Sequence, residues 1–357
     1  MSGRRFSSVS SLLLLPLLAL LALLATANPA AAQLAFDGEE IASPALLAAA
    51  RQEGKLTLYG TIPSESMAVS FAQFKAETGI DPEYIRLPTA RMYDRVNAEF
   101  DAKKLEADYI GMTDLTLVKD WATRGLLASY KTPSFDQLPP ELRADDAKWY
   151  YVVRPITVIA VNTAMVSDAE APKSWADLFQ PKWKGKIGMP SMDAGGSALT
   201  LYAFLRMKIA PDAWQKLAAN EPRIYPSAAP TVADLTRGRT AVAISGASSY
   251  AEQIENGAPL KIVFPTDGLA SFGEIGNVTV TAPHPNAAKL YMNWITSKHG
   301  SASVAKQGSY GTHPGAPAPS KAGYTFPPPS QVWTIRIEDW EKYQESWPKE
   351  WKAIFEK

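Results

Sequence analysis

Imidazole is scarce in this sequence. Its three histidines, His284, His299 and His313, stand at no ligand spacing from one another, and no HExxH or similar zinc pattern occurs. There is no cysteine, which excludes thiol catalysis, thiolate metal sites, disulfides and attachment through a lipidated cysteine. A GxSxG elbow, a P-loop and a dinucleotide GxGxxG are all missing. Glu65, Asp114, Asp193 and Glu274 are carboxylates placed for acid–base work, yet a carboxylate near a helix start also serves as cap or dipole partner. What recurs is another pattern. "YGTIPSES" (59–66), "LPTAR" (87–91), "GMTD" (111–114), "MPSMDAGGS" (189–197) and "SGASS" (245–249) each close an apolar run and open a helical one. Small side chains, hydroxyls and free amides at a helix start suit anions and polar acceptors. Any one of these junctions is equally an ordinary capped turn. Five of them, spread over both halves of the chain, point to a shared cleft.

The elements that must carry these junctions are legible. "KLTLYG" (55–60) reads as a strand. The following helix has Met67, Phe71, Phe74 and Thr78 on one face and Gly79 as its stop. "EYIRL" (83–87) is the next strand, then a helix with Thr89 as N-cap and Met92, Val96 and Phe100 along a stripe. "ADYIGM" (107–112) precedes a helix capped by Asp114 and stopped at Gly125. A long extended stretch, 150–162, follows, and then the alternation resumes. "KIGMP" precedes a helix from about Ser197, "TAVAIS" precedes one from about Ser248, and "LKIVFP" and "NVTVTA" are further strands. Strand–helix alternation implies a mostly parallel sheet covered by helices. Two such units with no Gly/Ser linker imply two lobes joined by crossing strands rather than tethered domains. The last segment, with Trp340, Trp347 and Trp351, reads as one helix packing on a core.

Equal numbers of acidic and basic residues, 36 each, give no reason to expect nucleic acid or an anionic membrane as partner. The 357 residues suffice for about two domains. Residues 1–32 read as a cleaved signal peptide: Arg4 and Arg5, an apolar run from Leu12 to Ala25, and the small residues Ala30, Ala31 and Ala32. The apolar run falls short of the ~20 residues that span a bilayer.

From about Lys55 onward the chain resembles the soluble substrate-binding proteins of ABC importers, in the group that includes the ferric-ion-binding proteins. "LTLYGT", "VIAVNT" (158–163), "SWADLFQPKWKGKIGMPSMDAGGS" (174–197) and "TAPHPNAAKLYMNWITSKHG" (281–300) carry the resemblance. It implies an α/β, two-lobed type II periplasmic-binding fold with two crossing strands and a central ligand cleft. It also implies docking onto an ABC permease in the inner membrane. Ferric binders of the group place two adjacent tyrosines after the strand matching "TAVAIS". This chain has Ser248 and Ser249 there, followed by Tyr250, and its early loop "GTIPSES" has neither His nor Tyr. Serines hydrogen-bond carboxylates, phosphonates, phosphates and sugar hydroxyls but cannot replace two phenolates.

These readings combine into an exported, periplasmic, monomeric solute-binding protein that is not an enzyme and uses no cofactor. It takes a small polar organic anion (carboxylate, phosphonate or phosphate ester). The expected ligand-binding residues are Thr61, Ser64, Thr89, Arg91, Thr113, Arg154, Ser191, Gly195, Gly196, Ser197, Ser248, Ser249 and Tyr250, with Arg154 as the main charge partner. The expected organisation is lobe 1 at 33–155 with about 271–312 returning to it, lobe 2 at 156–270, and a C-terminal segment at 313–357. The rival readings are a binder of ferric iron or a chelated ferric complex, a sensor module for a membrane kinase, and an enzyme built on this fold.

Overall fold

The computed structural model describes Gly3 and residues 33–356, so the expected signal segment otherwise lies outside the described residues. The hairpin of β1 (Leu34–Phe36) and β2 (Glu39–Ala42) leads into α1 (Pro44–Glu53). Three strand–helix units follow: β3 (Lys55–Gly60) with α2 (Ala68–Thr78), β4 (Asp81–Arg86) with α3 (Thr89–Asp101), and β5 (Tyr109–Met112) with α4 (Leu115–Thr123). β6 (Tyr150–Val153) and β7 (Ile156–Asn162) split the long extended stretch. Then come β8 (Ile187–Pro190), α5 (Gly196–Phe204), α6 (Ala213–Ala218), β9 (Arg223–Tyr225), α7 (Ala228–Thr236), β10 (Val242–Gly246) and α8 (Ala247–Glu255). β11 (Leu260–Val263), β12 (Leu269–Ser271) and β13 (Glu274–Val278) precede α9 (Pro285–Thr296) and α10 (Lys298–Ala305). The chain closes with β14 (Ser320–Lys321), β15 (Tyr324–Thr325), β16 (Val332–Trp333), α11 (Ile337–Glu341) and α12 (Trp347–Phe355).

Local chemistry sets most of these limits. Gly79, with φ +81°, ends α2 and returns its amide to Lys75. Asp114 caps α4 by accepting the Thr116 and Leu117 amides. Three expectations shift. Thr89 is the first helical residue of α3 rather than its cap, because Pro88 holds the cap position and no side chain bonds there. The strand expected within 277–282 is β13, and Thr279 turns away with its hydroxyl on the Ala107 carbonyl. The single C-terminal helix is two helices. Pro348 sits in the first turn of α12, where it costs nothing, whereas in a helix interior it would break the ladder.

The strands form two main sheets. The first has the order β4-β3-β5-β13-β6, with β3, β4 and β5 parallel and β13 antiparallel to both neighbours. The second has the order β16-β12-β7-β10-β8-β9, with β11 also on β7; β8, β9 and β10 are parallel. Apolar side chains fill both faces of each sheet. The chain crosses between sheets twice, each time in two residues: Arg154–Pro155 from β6 to β7, and Phe272–Gly273 from β12 to β13. In the first lobe, the carboxyl ends of β3, β4 and β5 share an edge with the start of β13 and the end of β6. In the second, the carboxyl ends of β8, β9 and β10 share an edge with the start of β7 and the end of β12. The crossings join these two edges, so the edges face one another. This is a two-lobed type II periplasmic-binding architecture.

The C-terminal segment spans both lobes. Trp347 and Trp351 are buried in the core of the second lobe, where Arg206 pairs with Glu350 at 2.7 Å. Trp340 is buried too, and its Nε1–H donates to Thr116 of α4 in the first lobe at 3.1 Å; Lys119 on the same helix pairs with Glu341.

Candidate functional site

The parallel strands bring three junctions of each lobe to the seam. From the first lobe come 60–66, 87–91 and 112–115; from the second, 190–197, 245–249 and a sixth, Tyr225–Ala228 between β9 and α7. The sixth was not read from the sequence, since a three-residue strand gives no periodicity. The Ser191 amide donates to the Tyr225 carbonyl at 2.7 Å, locking two of the second lobe's junctions together.

Four helix starts at the seam, those of α3, α5, α7 and α8, lack a side-chain cap, as α6, α11 and α12 do away from it. Away from the seam, Ser43 caps α1, Ser297 caps α10, and Glu53 takes the first amides of α9. The first amides of a helix have no intrahelical acceptor, so the four uncapped starts present free donors and a partial positive charge. α4, capped by Asp114, and α2, whose Val69 amide donates to Gln307 Oε1 at 3.1 Å, are the exceptions at the seam.

The lobes approach closely where Gly196 meets Thr113. A Cβ placed on Gly196 would lie 2.6 Å from the Thr113 carbonyl oxygen, so only glycine permits this approach. A cavity of about 30 Å³ beside the contact is lined by Thr113, Gly196, Thr200, Gly273 and Thr334, among others.

The expected residues divide into two groups. Thr61, Ser64, Thr89, Arg91, Thr113, Ser191, Gly195, Gly196, Ser197, Ser248 and Ser249 all lie on the seam junctions. Ser64 and Gly195 are exposed; Thr89, Thr113, Ser191, Ser197, Ser248 and Ser249 are half-buried. Arg91 is exposed in the first turn of α3, and among the described residues it has no hydrogen-bond or ion-pair partner. Thr61 is buried, its hydroxyl without a partner among the described residues; Ser245, near the end of β10 and outside the expected set, is in the same condition. A buried unpaired hydroxyl calls for an explanation, and a bound ligand supplies one.

Tyr250 and Arg154 stand apart. Tyr250 is wholly buried in the core beneath α8, its hydroxyl unpartnered among the described residues. Arg154 lies past the end of β6, four strand spacings or roughly 19 Å from β4 along the sheet. Its main chain pairs with Tyr310, and its Nε and Nη2 donate to the Gly311 carbonyl at 3.3 and 3.1 Å. It is 7% exposed, and that burial lowers its pKa to about 10. The guanidinium thus fastens the hinge to the segment after α10, on the side away from Thr61 and Thr89. Arg154 also lines a cavity of about 400 Å³ with Glu141, Tyr310, Thr312 and Trp333.

Of the four carboxylates, Asp114 is a cap, Asp193 is paired with Lys352 at 2.7 Å, and Glu274 is buried at the edge of the first lobe. Glu274 Oε2 accepts the Thr61 and Ile62 amides at 3.0 and 3.2 Å. The side chain of Glu65 is outside the description.

Comparisons with known proteins agree with this architecture. A model of the bacterial extracellular solute-binding protein family matches residues 108–331. An uncharacterized protein of Haemophilus influenzae is 28% identical over 286 residues, 74% of this chain and 82% of its own length. A putative 2-aminoethylphosphonate-binding periplasmic protein of Salmonella typhimurium is 27% identical over 251 residues, 67% of this chain and 71% of its own. The Fe(3+)-binding periplasmic protein of Serratia marcescens is 27% identical over 187 residues, 49% of this chain and 54% of its own. Among solved structures, the periplasmic binding protein AfuA of Actinobacillus pleuropneumoniae, with fructose-6-phosphate bound, superposes with a TM-score of 0.67 at 23% identity, covering 85% of this chain and 99% of that one. Apart from the uncharacterized Haemophilus protein, these relatives are named as binding proteins of the periplasm, and members of the family bind small ligands and work with ABC permeases. Among the described residues no helix is long and apolar enough to cross a membrane. The two facing edges, their crossings and the match over more than half of the chain place it in the family of bacterial extracellular solute-binding proteins.

Proposed function

We propose that this protein is exported with removal of residues 1–32 and works as a periplasmic monomer without catalytic activity. In this reading it captures a small organic oxyanion (carboxylate, phosphonate or phosphate ester) between its lobes and delivers it to an ABC permease. The observation that carries the proposal is the set of four helix starts, two lobes contributing, that meet at one seam with no side-chain cap. Donors left open there suit an anion that takes the place of the missing caps. Arg91, exposed and unpaired on the first turn of α3, supplies the full charge, and a guanidinium suits the planar faces of carboxylate and phosphoryl groups. The hydroxyls of Thr61, Ser197, Ser245, Ser248 and Ser249 add neutral hydrogen bonds. Closure about the two crossings removes water and strengthens each contact. One relative is named for a phosphonate and the AfuA structure holds added fructose 6-phosphate, which favours the phosphonate and phosphate-ester end of the range.

A thermal-shift screen of the mature chain tests the reading. Fructose 6-phosphate, 2-aminoethylphosphonate, inorganic phosphate, citrate, ferric chloride and ferric citrate form the panel. An oxyanion at 100 times its Kd adds about 2.7 kcal/mol of stability and raises the Tm. Stabilisation by ferric chloride alone, with a phenolate-to-iron absorption band, would show the anion assignment to be wrong.

A further inference from the structure

The carboxyl of Glu274 occupies a chamber built around it. A Cβ on Gly111 would lie 2.7 Å from its Cδ and Oε1, so β5 carries glycine where the carboxyl rests. A Cβ on Gly276 would lie 2.4 Å from the Tyr109 hydroxyl, and one on Gly60 would lie 2.2 Å from that of Tyr84. Glycines on three neighbouring strands thus clear room for one acid and the two phenols beside it. The Tyr109 hydroxyl donates to Glu274 Oε1 at 3.4 Å, and that of Tyr84 donates to the Ile62 carbonyl at 2.9 Å. Oε2 holds the consecutive amides of Thr61 and Ile62, at the root of the first seam loop. Glu274 is also the first residue of β13 after the Phe272–Gly273 crossing.

We propose that Glu274 is a positioning residue whose carboxylate grips the loop at Thr61–Ile62 from the hinge, so that proton uptake at Glu274 slackens the loop that offers Thr61 and Ser64 to the ligand. The grip itself follows from the chamber; its consequence for ligand capture rests on the anion-binding reading. The titratable groups facing the carboxyl are Tyr84 on β4, Tyr109 on β5 and Tyr291 on α9, with Arg86 at the end of β4 acting on Tyr84. Burial holds all three phenols well above their ordinary pKa, so they stay neutral across the working range. Burial also pushes the Glu274 carboxyl up to about 7, against the pull of the two amides, so its charge changes near neutral pH. Amide bonds to a carboxylate are about twice as strong as those to a neutral acid.

Amide hydrogen exchange on the ligand-free mature protein, followed from pH 5 to pH 9, tests this without any ligand. Protection factors, corrected for intrinsic exchange, are expected to rise about five- to ten-fold at Thr61 and Ile62, with a midpoint near 7. Ile110 on β5 should stay flat. In Glu274→Gln, which keeps the acceptor and removes the charge, both amides should hold the low-pH value throughout. In Glu274→Ala they should lose protection while Ile110 keeps it. Wild-type protection at Thr61 and Ile62 that is flat with pH, or a Glu274→Gln profile that still titrates, would overturn the proposal. Since no ligand enters the experiment, these results stand apart from the outcome of the thermal-shift screen.

Discussion

A buried guanidinium costs several kcal/mol to desolvate, so the single carbonyl it holds matters. Arg154 has the Gly311 carbonyl as acceptor and is 7% exposed. Arg154→Ala is expected to cut that tie and loosen the segment after α10. A hydrogen bond from a charged group is worth about 1.5–3 kcal/mol, so the ligand-free protein should lose roughly that much stability in urea unfolding. An unchanged midpoint would mean that the hinge tie carries nothing. That Arg154 sits on the crossing stretch was readable from its place in "YYVVRPIT"; that its partner is a main-chain oxygen of residue 311 was not. No local pattern announces a contact between residues so far apart in sequence. Tyr250, fourth residue of a helix that starts at the seam, was expected among the ligand-binding residues. The α-helical period turns its side chain to the opposite face of α8, into the core.

Strand ends and helix starts carried most of the legible information. Hydroxyls and glycines after β3, β4, β5, β8 and β10 mark five of the six seam junctions, because a cap and a ligand donor need the same residue types. The sixth, at Tyr225–Ala228, follows a strand of three residues and leaves no alternation to read. Gly196 is the sharpest test at this scale. It starts α5 and meets Thr113 across the seam. In Gly196→Ala the new methyl should prop the lobes apart, since a backbone oxygen cannot step aside as a flexible side chain can. Small-angle scattering should show a larger radius of gyration than the parent's, with affinity for any oxyanion found in the screen reduced by tenfold or more. α5 itself should be unharmed, as alanine is the better helix former. A radius and an affinity equal to the parent's would show that the contact is not part of closure.

Across the whole molecule, the sequence reading divided the chain into two α/β units, with about 271–312 returning to the first, and set 313–357 apart as a C-terminal segment. Residues 274–278 return to the first sheet, and the tryptophans beyond residue 340 complete the core of the second lobe. Trp351 is wholly buried against Tyr202 and Phe355. Trp351→Ala should cost about 3–5 kcal/mol, the usual range for emptying an aromatic site in a core. The loss should appear in calorimetry as a weakened or separate transition of the second lobe, and a single unshifted transition would refute it. The same segment sets the order in which the protein can assemble as it is made. A ribosome delivers Ile159 long before Trp351, yet both belong to one core. The first lobe waits as well, since its sheet needs β13 and its core needs Trp294 and Val304. Neither half can finish while the chain is still emerging. With the proposed export, a nascent polypeptide that can close neither core would stay threadable until late in synthesis, the condition that a narrow channel demands of its cargo.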